Sequence, residues 1–136
     1  MKLLASLTAA LLVTTGTAFA ARPASLAGTT WNLQVNQEVE TLAITTQGGP
    51  GAPGAANCRI INGIIRNVAP IRGFYCPSTG KIFFVHTNVS TGAPVRVFSG
   101  YVSDEAIGMP LYLGGIVSVV NAAFGDLGEY NFASLQ

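Results

Sequence analysis

An all-β fold of eight short antiparallel strands, arranged as a sandwich or a barrel, is what this sequence predicts, and three observations carry the expectation. Only 10% of the residues are charged and sixteen are glycine, so the chain lacks the Ala, Glu, Lys and Leu surplus of a helical bundle. Short runs rich in β-branched and aromatic residues recur along it, at the length of strands rather than helices. Turn-forming clusters, such as Pro77-Ser78-Thr79-Gly80 and Ser90-Thr91-Gly92-Ala93-Pro94, separate those runs. Strands are expected over residues 30–36, 41–46, 59–65, 70–75, 81–87, 95–102, 111–119 and 128–134. The Gly-rich stretch over residues 48–55 is expected to be a flexible connection between two strands. It has no following Gly-Lys-Ser/Thr, so it is not a phosphate-binding loop.

The 136 residues are enough for one domain. Residues 1–20 read as a secretory leader and residues 21–136 as the domain. Met1-Lys2 supplies the positive charge, the run from Leu3 to Val13 is apolar, and Ala18-Phe19-Ala20 offers small residues for cleavage after Ala20. That run is too short to cross a bilayer of about 30 Å. The stretch from Met109 to Ala123 is interrupted by Pro110, Gly114, Gly115 and Asn121, so no membrane span is expected. The expected location is secreted or periplasmic.

Seven Lys and Arg stand against six Asp and Glu, and removal of Lys2 with the leader brings the mature chain to zero net charge. Arg59, Arg66, Arg72 and Arg96 are scattered singly, without the basic stripe that nucleic acid requires. The two cysteines, Cys58 and Cys76, flank a hairpin whose turn centres near Asn67. That turn sets them opposite each other across an antiparallel pair, within bridging distance. A disulfide is expected, and no metal site, because two cysteines and one histidine lack zinc-ligand spacing.

Several segments in order resemble the avidin and streptavidin family. Leu26-Ala27-Gly28-Thr29-Thr30-Trp31-Asn32 is similar to that family's Leu-Thr-Gly-x-Trp-x-Asn opening. Pro70-Ile71-Arg72-Gly73-Phe74-Tyr75 is similar to its Pro-Leu-x-Gly-x-Tyr strand. Val97-Phe98-Ser99-Gly100-Tyr101 resembles its Trp-Ser-Gly-x-Tyr segment, and Gly128-Glu129-Tyr130-Asn131-Phe132 its closing strand. The resemblance covers nearly all of the domain and implies an eight-stranded antiparallel up-and-down β-barrel. It implies a binding protein for a small molecule in the barrel mouth, biotin or a related small carboxylate, and a homo-oligomer.

Carried over residue by residue, the implied ligand site is altered. The polar groups of the first strand fall at Asn32 or Leu33, then at Asn36 or Gln37. The third-strand tyrosine becomes Ile65, and the serine near it corresponds to Asn67. A boxing tryptophan becomes His86, the sixth-strand serine and threonine become Pro94 and Arg96, and its tryptophan becomes Phe98. The closing aspartate becomes Tyr130, and the loop that covers biotin is cut to a tight turn. A buried ureido oxygen loses about 1–3 kcal/mol for each missing partner, so tight biotin binding is not expected. The altered residues instead suggest that His86 and Arg96 line the mouth and take a carboxylate, with Phe98 and Tyr130 stacking beneath. The alternative reading leaves Arg96 on a solvated face and His86 in the wall.

No catalytic residues and no cofactor are expected. His86 is the only histidine and no Gly-x-Ser-x-Gly elbow is present. The pairs Glu38/Glu40 and Asp104/Glu105 read as solvated turn and edge residues, not carboxylates facing across a cleft. Asn88-Val89-Ser90 matches a glycosylation acceptor and marks an exposed turn. The mean hydropathy of +0.46 is high for a soluble domain. A barrel that is filled inside and acts through its surface, as an oligomer or as a hydrolase inhibitor, is therefore the competing class. Ile116, Val117, Val119 and Val120 are its expected interface residues.

Overall fold

The computed structural model describes residues 21–50, 57–105 and 109–135, and the expected leader lies outside them. Eight antiparallel strands run β1 (Thr29–Val35), β2 (Glu38–Pro50), β3 (Arg59–Ile65), β4 (Ala69–Cys76), β5 (Lys81–Thr87), β6 (Pro94–Val102), β7 (Tyr112–Val119) and β8 (Gly128–Leu135). Each pairs with its sequence neighbour, and β8 pairs back onto β1, so the sheet closes into an up-and-down barrel. Closure removes every sheet edge, and alternation sends one set of side chains inward on each strand. The seam is the shortest ladder, with four register pairs between β1 and β8 against seven between β1 and β2.

The strand positions match the sequence expectation to within a residue or two, except for β2. That strand continues through Gly48 and Gly49 to Pro50, pairing with β3 across two register shifts. A Gly-rich composition marked this stretch as a linker, but the ladder to β3 satisfies its backbone groups, and bulges absorb the irregular register. Residues 51–56 of the expected linker lie outside the described residues.

Hairpin turns fix the register. Asn36 and Gln37 between β1 and β2 have φ of 43° and 74°, and Arg66 and Asn67 after β3 have φ of 54° and 65°. Two successive residues in the left-handed region form the turn whose twist suits a hairpin, and Asn tolerates it best among side-chain-bearing residues. Just beyond the β3–β4 hairpin's far end, Cys58 and Cys76 are joined by a disulfide. Glycine is needed at Gly73, where a Cβ would stand 1.8 Å from the Phe83 carbonyl oxygen on the adjacent strand.

The interior is filled. Trp31, Tyr75, Phe84 and Phe98 are fully buried, with Leu33, Leu42, Ile61, Ile65, Leu113 and Val117 around them. Phe98 stacks on Phe84 at 4.5 Å between ring centroids and meets Phe132 edge-on at 5.3 Å. One end of the barrel is covered by residues 21–28. The buried Tyr75 hydroxyl donates to the Pro23 carbonyl at 2.8 Å. Gln47 donates to the Ala24 carbonyl and accepts from the Leu26 N–H, both at 2.9 Å, while Leu26 itself is fully buried.

Candidate functional site at the barrel mouth

The opposite end carries the turns between β1 and β2, β3 and β4, β5 and β6, and β7 and β8. There the inward-facing positions near the rim are apolar on β1, β3 and β4, at Val35, Ile65 and Ala69, and polar on β2, β5 and β6. Glu40 on β2, His86 on β5 and Arg96 on β6 are all at most 5% exposed. Period-two alternation puts Glu40 on the same inward face as Leu42 and Ile44. His86 and Arg96 are register partners, as are Arg96 and Val119.

These three side chains form one network. Arg96 Nη1 donates to Glu40 Oε1 at 2.6 Å and Nη2 donates to Oε2 at 2.7 Å, a bidentate fork. Arg96 Nε donates to His86 Nδ1 at 3.1 Å, so the neutral imidazole carries its proton on Nε2. Arg66 reaches in from its turn, with Nη2 donating to Glu40 Oε1 at 2.8 Å and to the exposed Glu38 Oε2 at 2.6 Å. Beneath, the Arg96 guanidinium carbon lies 5.3 Å from the centroid of the Phe98 ring, a cation–π contact that also seals the core.

Electrostatics follow from that packing. Burial by itself pushes the Glu40 carboxyl up, but the hydrogen bonds and charges of Arg96 and Arg66 outweigh it and hold the group below its ordinary value. His86 is pulled down to about 4, first by burial and then by the Arg96 charge, with Glu40 opposing. At neutral pH Glu40 is therefore a carboxylate and His86 a neutral imidazole.

A cavity of about 130 Å³ remains above the network, lined by Asn36, Glu38, Arg66, Asp126 and Tyr130 among others. Pockets that hold drug-sized molecules run about 300–1,000 Å³, so this one suits only a few heavy atoms.

The structure brings together some of the residues named from sequence and separates others. His86, Arg96 and Phe98 meet at the mouth, and Asn36 and Tyr130 line its cavity. Tyr130 does not stack under a ligand: it is half-buried in the wall, and its hydroxyl donates to the Asp126 carbonyl at 3.1 Å. Asn32 points outward from β1, Gln37 is exposed on an outer groove, and Asn67 is exposed on its turn. The alternation of β1 puts Trp31 and Leu33 inside and leaves Asn32 outside. Arg96 is not on a solvated face, and its fork is already filled by a carboxylate of the chain itself.

Glu40 and Arg66 were not singled out by sequence. Of the pair read as solvated, Glu38 is exposed and Glu40 is buried. The spacing of Glu40 two residues before Leu42 and four before Ile44 was the available signal. Among the expected interface residues, Ile116 and Val120 are exposed, while Val117 is fully buried in the core and Val119 lines the mouth.

Among the described residues no helix is long and apolar enough to cross a membrane, and no cluster of His, Cys, Asp and Glu could hold a metal. Comparison with protein-family models, with curated proteins and with solved structures finds no match. The class defined by fold and site is thus a closed eight-stranded β-barrel, disulfide-linked, filled inside and plugged at one mouth by a buried ion pair.

Proposed function

We propose that this is an exported barrel of avidin-like architecture that works from its outer surface, assembling with a second copy of itself, and that holds no biotin-sized ligand. The filled interior is the observation that carries the reading: Phe84, Phe98 and Phe132 occupy the space a ligand would need, and Glu40 takes the Arg96 fork. An arginine so engaged would have to surrender a buried ion pair before receiving another carboxylate, which costs about 3–5 kcal/mol. His86 has a structural part in this reading, since its Nδ1 is committed to Arg96.

The outer face supports self-association. Ile60, Phe74, Phe83, Ser99 and Ile116 follow one another across five strands in a single ladder line. Phe74 and Phe83 stack at 5.4 Å on that outer face, and Tyr101 and Ile116 are 60% and 48% exposed beside them. No charged side chain stands within the line itself, and Arg72 and Lys81 flank it. An apolar line with a charged rim suits burial against its own copy, since homo-oligomers are the commonest assemblies. The disulfide fits an oxidising destination, consistent with the leader read from residues 1–20.

A second reading, a site for a small ion or a molecule of a few heavy atoms in the mouth, is favoured by the polar 130 Å³ cavity. Calorimetric titration with biotin, acetate and formate, alongside sedimentation of the parent and of Ile116→Glu, separates the two. Dimers in the parent, monomers in Ile116→Glu and no heat with any acid are expected. Saturable biotin heat, or a monomeric parent at all concentrations, overturns the surface reading.

A further inference from the structure

We infer that the barrel mouth is an acid-released latch, in which Arg96 is held over the core only while His86 is neutral, and protonation of His86 frees it and uncovers Phe98. The geometry states the condition directly. His86 Nδ1 accepts the Arg96 Nε–H at 3.1 Å, and a protonated imidazole has no lone pair left to accept with. Protonation therefore sets two donors and two like charges against each other in a buried site, and one side chain must move.

The surroundings decide which one moves. His86 is packed on β4 through its register partner Ile71, which does not titrate. From β6 it accepts from Arg96, while Glu40 from β2 and Arg66 from the β3–β4 turn act on it through their charges, and Glu38 is bonded to Arg66. Asp126 and Tyr130, from the β7–β8 connection and β8, stand across the cavity. Among the described residues Glu40 is the only acid bonded to Arg96, and Arg66 already occupies one of its oxygens. The imidazolium competes for that carboxylate, and the long Arg96 side chain lines the cavity it can swing into, whereas His86 does not border it. Arg96 lies over the Phe98 ring at 5.3 Å, so its departure exposes the apolar floor of the barrel. The position of His86, with a proton affinity roughly 300-fold below that of an ordinary histidine, sets the release well below neutrality.

As the only histidine in the chain, His86 gives a single imidazole resonance to follow. The test titrates the mature, disulfide-bonded protein from pH 7 to 3.5 while recording that resonance, the fluorescence of an apolar-surface dye such as ANS, and far-UV circular dichroism. The expected result is a His86 midpoint near 4, a dye signal rising severalfold with the same midpoint, and unchanged dichroism. The variant His86→Gln keeps an acceptor for Arg96 Nε and cannot be protonated, so it is expected to lose the dye rise in that window. An identical dye rise in His86→Gln overturns the latch. So does a parent whose imidazole titrates without any dye response, or whose dichroism collapses together with it. Should His86→Gln fail to fold, the coincidence of midpoints in the parent decides alone, and separated midpoints refute the latch.

Discussion

Removing Glu40 is expected to cost more stability than removing Arg96, although the two are partners in one ion pair. In Glu40→Leu the Arg96 guanidinium, 5% exposed, loses both carboxylate bonds and keeps only the His86 nitrogen. In Arg96→Met the Glu40 carboxylate keeps its 2.8 Å bond to Arg66, whose half-exposed side chain brings some solvent with it. Breaking a buried pair costs about 3–5 kcal/mol, which places Arg96→Met near the lower figure and Glu40→Leu near the upper. Replacing both together removes the uncompensated charge, and the double variant is expected within about 1 kcal/mol of the parent. Urea unfolding followed by the single, fully buried Trp31 reads all four proteins. At a slope of about 2 kcal/mol per molar, a 2 kcal/mol gap between the single variants separates their midpoints by roughly 1 M. Native stabilities span about 5–15 kcal/mol, so a Glu40→Leu chain that does not fold at all beside two folded variants gives the same ordering. An Arg96→Met protein as unstable as Glu40→Leu, or a double variant no better than the worse single one, refutes the assignment of Arg66 as second partner.

Reduction of Cys58–Cys76, which closes a loop of sequence separation 18, is expected to cost about 3 kcal/mol, seen as a lower melting temperature in dithiothreitol. Gly73→Ala is expected to disrupt the barrel, because its methyl meets the Phe83 carbonyl at 1.8 Å, whereas Gly48→Ala, with open space around it, leaves the melt nearly unchanged. Phe98→Ala is expected to cost about 3–5 kcal/mol and to leave a dry void under Arg96. Benzene should then raise the melting temperature of the variant and not of the parent. Stability is also expected to fall with acid: His86 stands at 6.5 unfolded and about 4 folded, so the unfolded chain binds more protons between those values. Its contribution, about 3 kcal/mol above pH 6.5, is lost as pH falls toward 4, and His86→Gln flattens that slope in unfolding free energy.

Local chemistry made most of the barrel legible. The turn at Arg66-Asn67 and the pairing of Cys58 with Cys76 follow from one hairpin, and each strand announces its inward face by alternation. The same local rule misjudged β2, because glycine composition says nothing of whether a neighbouring strand will take up the backbone hydrogen bonds. The mouth was harder for a different reason. Glu40 and Arg96 are 56 residues apart, and whether an inward arginine is tolerable depends on a partner that no window along the chain contains. His86, Arg96 and Phe98 could be placed on one face by alternation together with the family resemblance, and their meaning changed once Glu40 stood opposite. Val117 shows the limit from the other side: an apolar residue beside Ile116 belongs to the core or to the surface by parity, not by hydropathy.

The two ends of the barrel are closed by different physics, and the difference decides where the molecule can respond. At the end covered by residues 21–28 the closure rests on neutral hydrogen bonds and a buried leucine. Tyr75 donates to Pro23, and burial pushes that phenol up to about 12, so it keeps its proton at any pH the protein meets. The ion pair there, Arg22 with Asp104 at 3.0 Å, is partly exposed on both sides and contributes at most about 1 kcal/mol. At the mouth, closure rests on charge held out of water, and every member of the network sees its partners' protonation states. A fall in pH therefore leaves one cap in place and acts on the other. Since Phe98 lies directly under Arg96, the end that carries charge is also the end that guards the core. Phenylalanine fills the interior beneath the mouth, so the apolar surface nearest that end lies directly under the charged network.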